Sequence, residues 1–221
     1  MLKSYIENNK NIGITNASAM LLDAKTMQVK AMVGSADYFN AAIFGQLNGA
    51  DAKRLPGSTL KPFIYALSMD QSLIHPASVL KDAPTSFRPY SLENFDARFI
   101  KPISAADALI PSRNVPAVSL AAKLSQPSLY DFLKNAGVSD LKSEAHYGLA
   151  LALGGGELTM QELVSLYAML ANNGEFRPIA LIQEAINKPQ ISKNPQKSHR
   201  VMSEEAAFIA LDMLRQNLPR Y

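Results

Sequence analysis

The spacing of apolar residues changes along this 221-residue chain, and the change predicts its elements. Ala17–Ala24 and Gln28–Val33 are short apolar runs joined by the polar Lys25–Met27, which predicts a β-hairpin. Residues 35–57 form a long connection with several Gly, Asn and Asp residues. From Ser58 the period becomes helical: Leu60, Phe63, Ile64 and Leu67 share one stripe, and the pattern fades at Asp70–Ser72. Residues 81–102 are polar, aromatic and broken by proline, and long stretches of this kind tend to line clefts. Helices are predicted at 104–110, where Asp107 can cap with Ser104, and at 115–124 and 128–136, the last closed by Gly137. An apolar run at 146–153 ends in Gly154-Gly155-Gly156, and Thr159-x-x-Glu162 is a capping box opening a helix up to Gly174. Ile179–Ile186 reads as a strand, 187–200 as a surface loop, and 203–216 as a last helix capped by Ser203. Strands first, helices in the middle, then one strand and a helix make an α+β pattern.

Composition narrows this picture. With 48% hydrophobic residues the chain can bury a sizeable core. The net charge of +3 is scattered, its densest cluster being Lys197-Ser198-His199-Arg200, and no basic stripe with interleaved aromatics marks a nucleic-acid surface. With no cysteine, disulfides, thiolate catalysis and Cys-based metal sites are excluded. His75, His146 and His199 lie far apart, so no metal-ligand spacing exists and no cofactor is called for. The first ten residues lack the apolar core of a signal peptide, and no apolar run approaches the ~18 residues of a membrane span. Glycines 154–156 lack the lysine and strand of a phosphate loop, which leaves a turn.

The chemistry concentrates in Arg54-Leu55-Pro56-Gly57-Ser58-Thr59-Leu60-Lys61-Pro62-Phe63. Pro56-Gly57 signals a turn, and Pro62 is tolerated only in a first helical turn, so the helix begins close to Ser58. At about 100° per residue, Ser58, Lys61 and Tyr65 fall opposite the apolar stripe, on an exposed face. A serine hydroxyl needs a neighbouring base, and a lysine serves once burial or nearby positive charge lowers its pKa. Taken alone the signal is weak. Ser-x-x-Lys is expected about once in such a length, and Ser78–Lys81 and Ser139–Lys142 repeat it in polar sequence. Ser112-Arg113-Asn114, between two helical stretches, adds a hydroxyl and an amide that can aim into a cleft, although by spacing alone a turn explains it. A rival Ser192-Lys193-Asn194 lies in the Pro-rich loop.

Taken in order, Pro-Gly-Ser58-Thr-Leu-Lys61-Pro-Phe, Asn94-Phe-Asp96, Ala108-Leu-Ile-Pro-Ser112-Arg-Asn114-Val-Pro-Ala, Leu153-Gly-Gly and Glu162–Gly174 resemble the transpeptidase domain of class A penicillin-binding proteins, particularly the 1C branch. The resemblance spans nearly the whole chain. It implies a fold like the serine β-lactamases, an antiparallel sheet flanked by helices plus an all-helical lobe, with the active site between them. By match to the family's motifs, Ser58 would be the acylated nucleophile, Lys61 its general base, Ser112 a proton relay, and Asn114 the residue that holds Lys61 and the substrate. The implied reaction is attack on the D-Ala-D-Ala bond of a peptidoglycan stem peptide, then transfer of the acyl group to an amine of a neighbouring stem. β-Lactams would acylate Ser58 as mimics. The implied partners are thus stem peptides and β-lactams, with no cofactor and no nucleic acid.

Three departures qualify the match. Lys101 stands where many relatives carry Gly, and Leu92 where Pro is common. The third family element, Lys-Thr/Ser-Gly, is absent from 1–221; Lys25-Thr26-Met27 lies too early and lacks the glycine. In the family that element follows the last helix seen here. The expectation is therefore a piece of a longer protein, truncated at its C-terminus, weakly active or inactive by itself. Membrane association at the periplasmic face would come only through parts ahead of Met1. Two alternatives stay open: a β-lactamase or β-lactam sensor of the same fold, and a non-catalytic peptidoglycan-binding or assembly module.

Overall fold

The computed structural model describes residues 2–87, 90–180 and 197–217. The elements in order are α1 (Leu2–Asn9), β1 (Ala19–Asp23), β2 (Gln28–Val33), α2 (Lys61–Asp70), β3 (Val79–Asp82), β4 (Thr85–Phe87), β5 (Tyr90–Leu92), β6 (Lys101–Ser104), α3 (Ala105–Leu109), α4 (Asn114–Ala121), α5 (Leu129–Asn135), α6 (Glu144–Tyr147), α7 (Met160–Ala171), β7 (Glu175–Phe176), β8 (His199–Arg200) and α8 (Glu204–Arg215). The class is α+β. The chain divides into two compact units, one made of 1–54, 158–169 and 176–199, the other of 55–157, 170–175 and 200–221.

In the first unit β1 and β2 pair antiparallel from Ala19↔Val33 to Asp23↔Gln28. Their turn forms because the Asp23 carboxylate accepts from the N–H groups of Lys25 and Thr26, while Met27 takes a positive φ of 56°. Ala180 adds to the hairpin through a parallel bridge to Gln28. The rest of the strand expected at 179–186 lies outside the described residues, as does Ser192-Lys193-Asn194. The Thr159–Glu162 capping box forms reciprocally at the start of α7, and Glu162 also pairs with Lys53 at 3.0 Å.

The second unit is built around α2. Two details differ from the sequence expectation. Pro56 leads into a tight 3-10 turn at Gly57–Leu60, so the α-helix proper starts three residues late, at Lys61, with Pro62 in its first turn where a missing N–H costs nothing. Nor is α2 amphipathic in use. Leu60, Phe63, Ile64 and Leu67 are fully buried, but so are Tyr65 and Lys61, the latter 1% exposed. The reason is that α2 is surrounded: α3, α4, α5 and α8 all pack on it. Phe63 stacks on Phe132 of α5 with centroids 5.6 Å apart, and the small Ala206, Ala207 and Ala210 of α8 are buried on the same core. An exposed Ser–Lys face therefore does not exist; the lysine is in the core.

The stretch expected as loop at 81–102 contains short strands: β3 pairs antiparallel with β6, from Val79↔Ser104 to Asp82↔Lys101, and β4 with β5. Lys101 sits at φ 73°, a left-handed conformation that glycine adopts without strain. The caps read from the sequence at Ser104 and Ser203 form, Ser104 accepting from Asp107 N–H and Ser203 from Ala206 N–H, and a further reciprocal box forms between Ser128 and Asp131 at the start of α5. Among the described residues no helix is long and apolar enough to cross a membrane.

Candidate active site

The four residues singled out by sequence all belong to the second unit, and the chain brings them together from two segments. Ser58 lies in the 3-10 turn, exposed, its hydroxyl bonded to none of the described residues. The turn is tied by the Thr59 hydroxyl, which donates to Pro56 O at 2.7 Å. Lys61 follows as the first residue of α2.

The second segment is a helix-to-helix break. α3 ends in a Schellman-type closure: Ser112 N–H donates to Leu109 O at 2.9 Å and Arg113 N–H to Ala108 O at 3.0 Å. Such a closure needs a left-handed residue, normally glycine; here it is Ser112, at φ 60°. Arg113 is extended, and Asn114 begins α4. Arg113 offers α4 no side-chain cap. Instead Asn94, twenty residues earlier, accepts the Asn114 N–H through its Oδ1 at 2.8 Å.

Lys61 joins the two segments. Its Nζ donates to Ser112 O at 2.5 Å, Ser112 Oγ at 3.0 Å and Asn114 Oδ1 at 2.6 Å, an acceptor for each ammonium proton. The Asn114 amide orientation is fixed at its other end, where Nδ2 donates to Glu93 O at 2.7 Å. Burial, and then the charge of the Arg113 guanidinium, pull the Lys61 ammonium from 10.5 down to about 8.

Sequence reasoning missed the layer behind this site. Asp82, fully buried at the end of β3, accepts from Asn94 Nδ2 at 2.7 Å, Ile100 N–H at 3.0 Å and Arg113 Nε at 2.9 Å. Arg113, 5% exposed, reaches Asp96 with Nη1 at 3.0 Å and also donates from Nη2 to Arg98 O. The charged, β-strand setting of Asp82 carried no motif, so only the Asn94-Phe-Asp96 match hinted at it. Between the clamped Asn94 and Asp96, Phe95 stands fully exposed.

Two further features flank Ser58. Gly154, at φ 83°, closes the 3-10 turn Gly148–Leu153 and touches the Gly57 backbone: a Cβ there would lie 2.2 Å from Gly57 N. This close approach requires glycine at 154, while Gly155 and Gly156 lie instead against Ala150 and Leu151. Beside it is an apolar cavity of about 380 Å³ lined by Leu55, Gly57, Leu92, Val118, Leu149 and Leu153, among others.

Against known proteins, the family model "Penicillin binding protein transpeptidase domain" matches residues 17–218. Penicillin-binding protein 1C of Escherichia coli K12 is 33% identical over 196 residues, covering 87% of this chain and 26% of that protein. Penicillin-binding protein 1F of Bacillus subtilis 168 is 31% identical over 204 residues, covering 90% of this chain and 28% of that protein. The chain thus spans about a quarter of the length of the curated relatives it matches. Among solved structures, the apo transpeptidase domain of Burkholderia pseudomallei penicillin-binding protein 3 superposes with a TM-score of 0.77 at 17% identity, over 96% of this chain and 64% of that one, a likeness of fold. The chain belongs to the penicillin-binding protein transpeptidase domain family, among relatives of class A.

Proposed function

We propose that this domain is a serine D,D-transpeptidase of peptidoglycan, acylated at Ser58. The observation that carries the reading is the buried Lys61 amine, one turn from the exposed Ser58 hydroxyl and held on Ser112 and Asn114. With a pKa of about 8, roughly a tenth of Lys61 is neutral at pH 7 and half at pH 8. A neutral amine keeps two N–H groups, enough for the two short contacts to Ser112 O and Asn114 Oδ1, and has a lone pair left for a hydroxyl proton.

In this reading Ser58 Oγ attacks the carbonyl carbon of the penultimate D-alanine while its proton passes to Lys61 Nζ. As the tetrahedral intermediate collapses, the C–N bond breaks. The proton travels from Lys61 through the Ser112 hydroxyl to the leaving nitrogen, releasing D-alanine and an ester on Ser58. An amine of a second stem peptide then attacks the ester, giving its proton back along the same path, and Ser58 is restored. N–H groups at the start of the Gly57–Leu60 turn and of α2 favour the developing oxyanion. A Lys-Thr/Ser-Gly strand, where a chain of this family carries one, would add carboxylate recognition and a second oxyanion donor. A β-lactam enters the first half of the cycle and stalls as the ester. The partners are accordingly stem peptides and β-lactams, on the outer side of the membrane where peptidoglycan is cross-linked.

The test is covalent labelling. A fluorescent penicillin should attach to Ser58, found by peptide mapping, in a protein that continues through such a strand. Ser58→Ala should lose the label entirely; labelling that survives the change sinks the proposal.

A further inference from the structure

All three acceptors of Lys61 come from residues 112–114, so whatever fixes that segment fixes the base. Ser112 sits there in a strained left-handed conformation, which persists only where surrounding contacts over-determine it. Those contacts converge on Arg113. Its guanidinium meets Asp82 through Nε at 2.9 Å and Nη2 at 2.8 Å, and both Asp96 oxygens through Nη1. Asp82 in turn holds Asn94, whose Oδ1 receives the Asn114 N–H. Only a planar five-donor fork can span β3 and the 94–98 loop in this way. Stability alone does not account for it, since a buried ion pair is commonly replaceable by well-packed apolar side chains at little cost.

Building on the acylation site proposed above, we propose that Arg113 is a positioning residue for acylation: through Asp82, Asp96 and Asn94 it holds Ser112 and Asn114 against Lys61. The Arg113 charge already contributes, after burial, to the lowered pKa of Lys61. On Arg113 itself that charge is faced by Asp82 and Asp96. Tyr65, one turn along α2, stays a neutral phenol because burial, and then Asp82, push its ionisation up. The other charged side chains on elements packed against α2 are Asp107 on α3, Asp131 and Lys134 on α5, and Glu204, Glu205, Asp212 and Arg215 on α8; none is among the charges that shift Lys61.

The experiment compares wild type, Arg113→Lys, Arg113→Met, and Arg113→Met combined with Asp82→Leu. The last removes both buried charges together, so it keeps a folded variant in hand if Arg113→Met alone unfolds. Two quantities are read: the pH midpoint of penicillin acylation, and the Lys61 titration followed by NMR of its side chain. Loss of the cation should move both midpoints up by about half a pH unit or more, a factor of roughly three in neutral amine at neutral pH. Arg113→Lys should bring the midpoints back while leaving acylation about tenfold slow, because charge returns without the fork. Midpoints that stay put in the folded cation-free variants, or an Arg113→Lys that matches Arg113→Met in both readouts, would overturn the inference. Absence of any label on wild-type Ser58 would sink the transpeptidase reading instead, and the NMR titration would still decide the role of Arg113.

Discussion

At the scale of single residues, Ser112 shows how chemistry overrides conformational preference. A Schellman closure is best made by glycine, and a non-glycine residue at φ 60° carries roughly 1–2 kcal/mol of strain. In that conformation the Ser112 Oγ lies 3.0 Å from the Lys61 amine, the contact on which its proposed relay role rests. The usual order of substitutions should therefore invert. Ser112→Gly loses one hydrogen bond but sheds the strain, whereas Ser112→Ala loses the bond and keeps the strain. Denaturant titrations should find Ser112→Gly about 1 kcal/mol more stable than Ser112→Ala, with acylation impaired in both; Ala at or above Gly would refute the account. Sequence spacing revealed the two residue types but not this, because a positive φ leaves no periodic trace.

Among elements, what could be read from sequence was whatever is local. The hairpin turn and the caps at Ser104, Thr159 and Ser203 follow from side chains bonding backbone within a few residues, and the turn at Gly154 from its own backbone N–H reaching back to Ala150 and Leu151 O. What could not be read was set by distant partners. The stripe on α2 looked one-sided, yet helices from four other segments bury its far face and take Lys61 with it. The cap of α4 is Asn94, and the support of the 112–114 segment is Asp82, far away in the chain. The contact between Gly154 and Gly57 is of the same kind and has a direct consequence for Ser58. Gly154→Ala must push the Gly57 backbone aside and adopt φ 83° with a side chain. It should cost about 2 kcal/mol or more and slow Ser58 labelling, measured beside a thermal melt. Unchanged labelling in a protein of unchanged stability would show that the turn can move freely.

For the molecule as a whole, the buried Lys61 imprints a pH dependence on folding. Its folded pKa, about 8, is below the ordinary 10.5 of an unfolded chain. Below pH 8 both states hold the proton, and the fold carries the full cost of a buried cation. Between 8 and 10.5 the folded state releases the proton while the unfolded state keeps it, so stability rises with pH. Relative to Lys61→Met, wild type should gain roughly 3 kcal/mol across that window; parallel curves for the two proteins would mean that the amine is not held down. Asp96 acts at the other end. The Arg98 N–H and Arg113 keep its carboxylate below the usual range, so its contribution is present above pH 3.8 and fades in stronger acid. The loop that carries Asp96 has one more use. The chain contains no tryptophan, and Phe95 projects into solvent between two anchored neighbours. Phe95→Trp would install a single indole emitter at a fixed distance from the site, turning the loop into an optical gauge of when a ligand covers it.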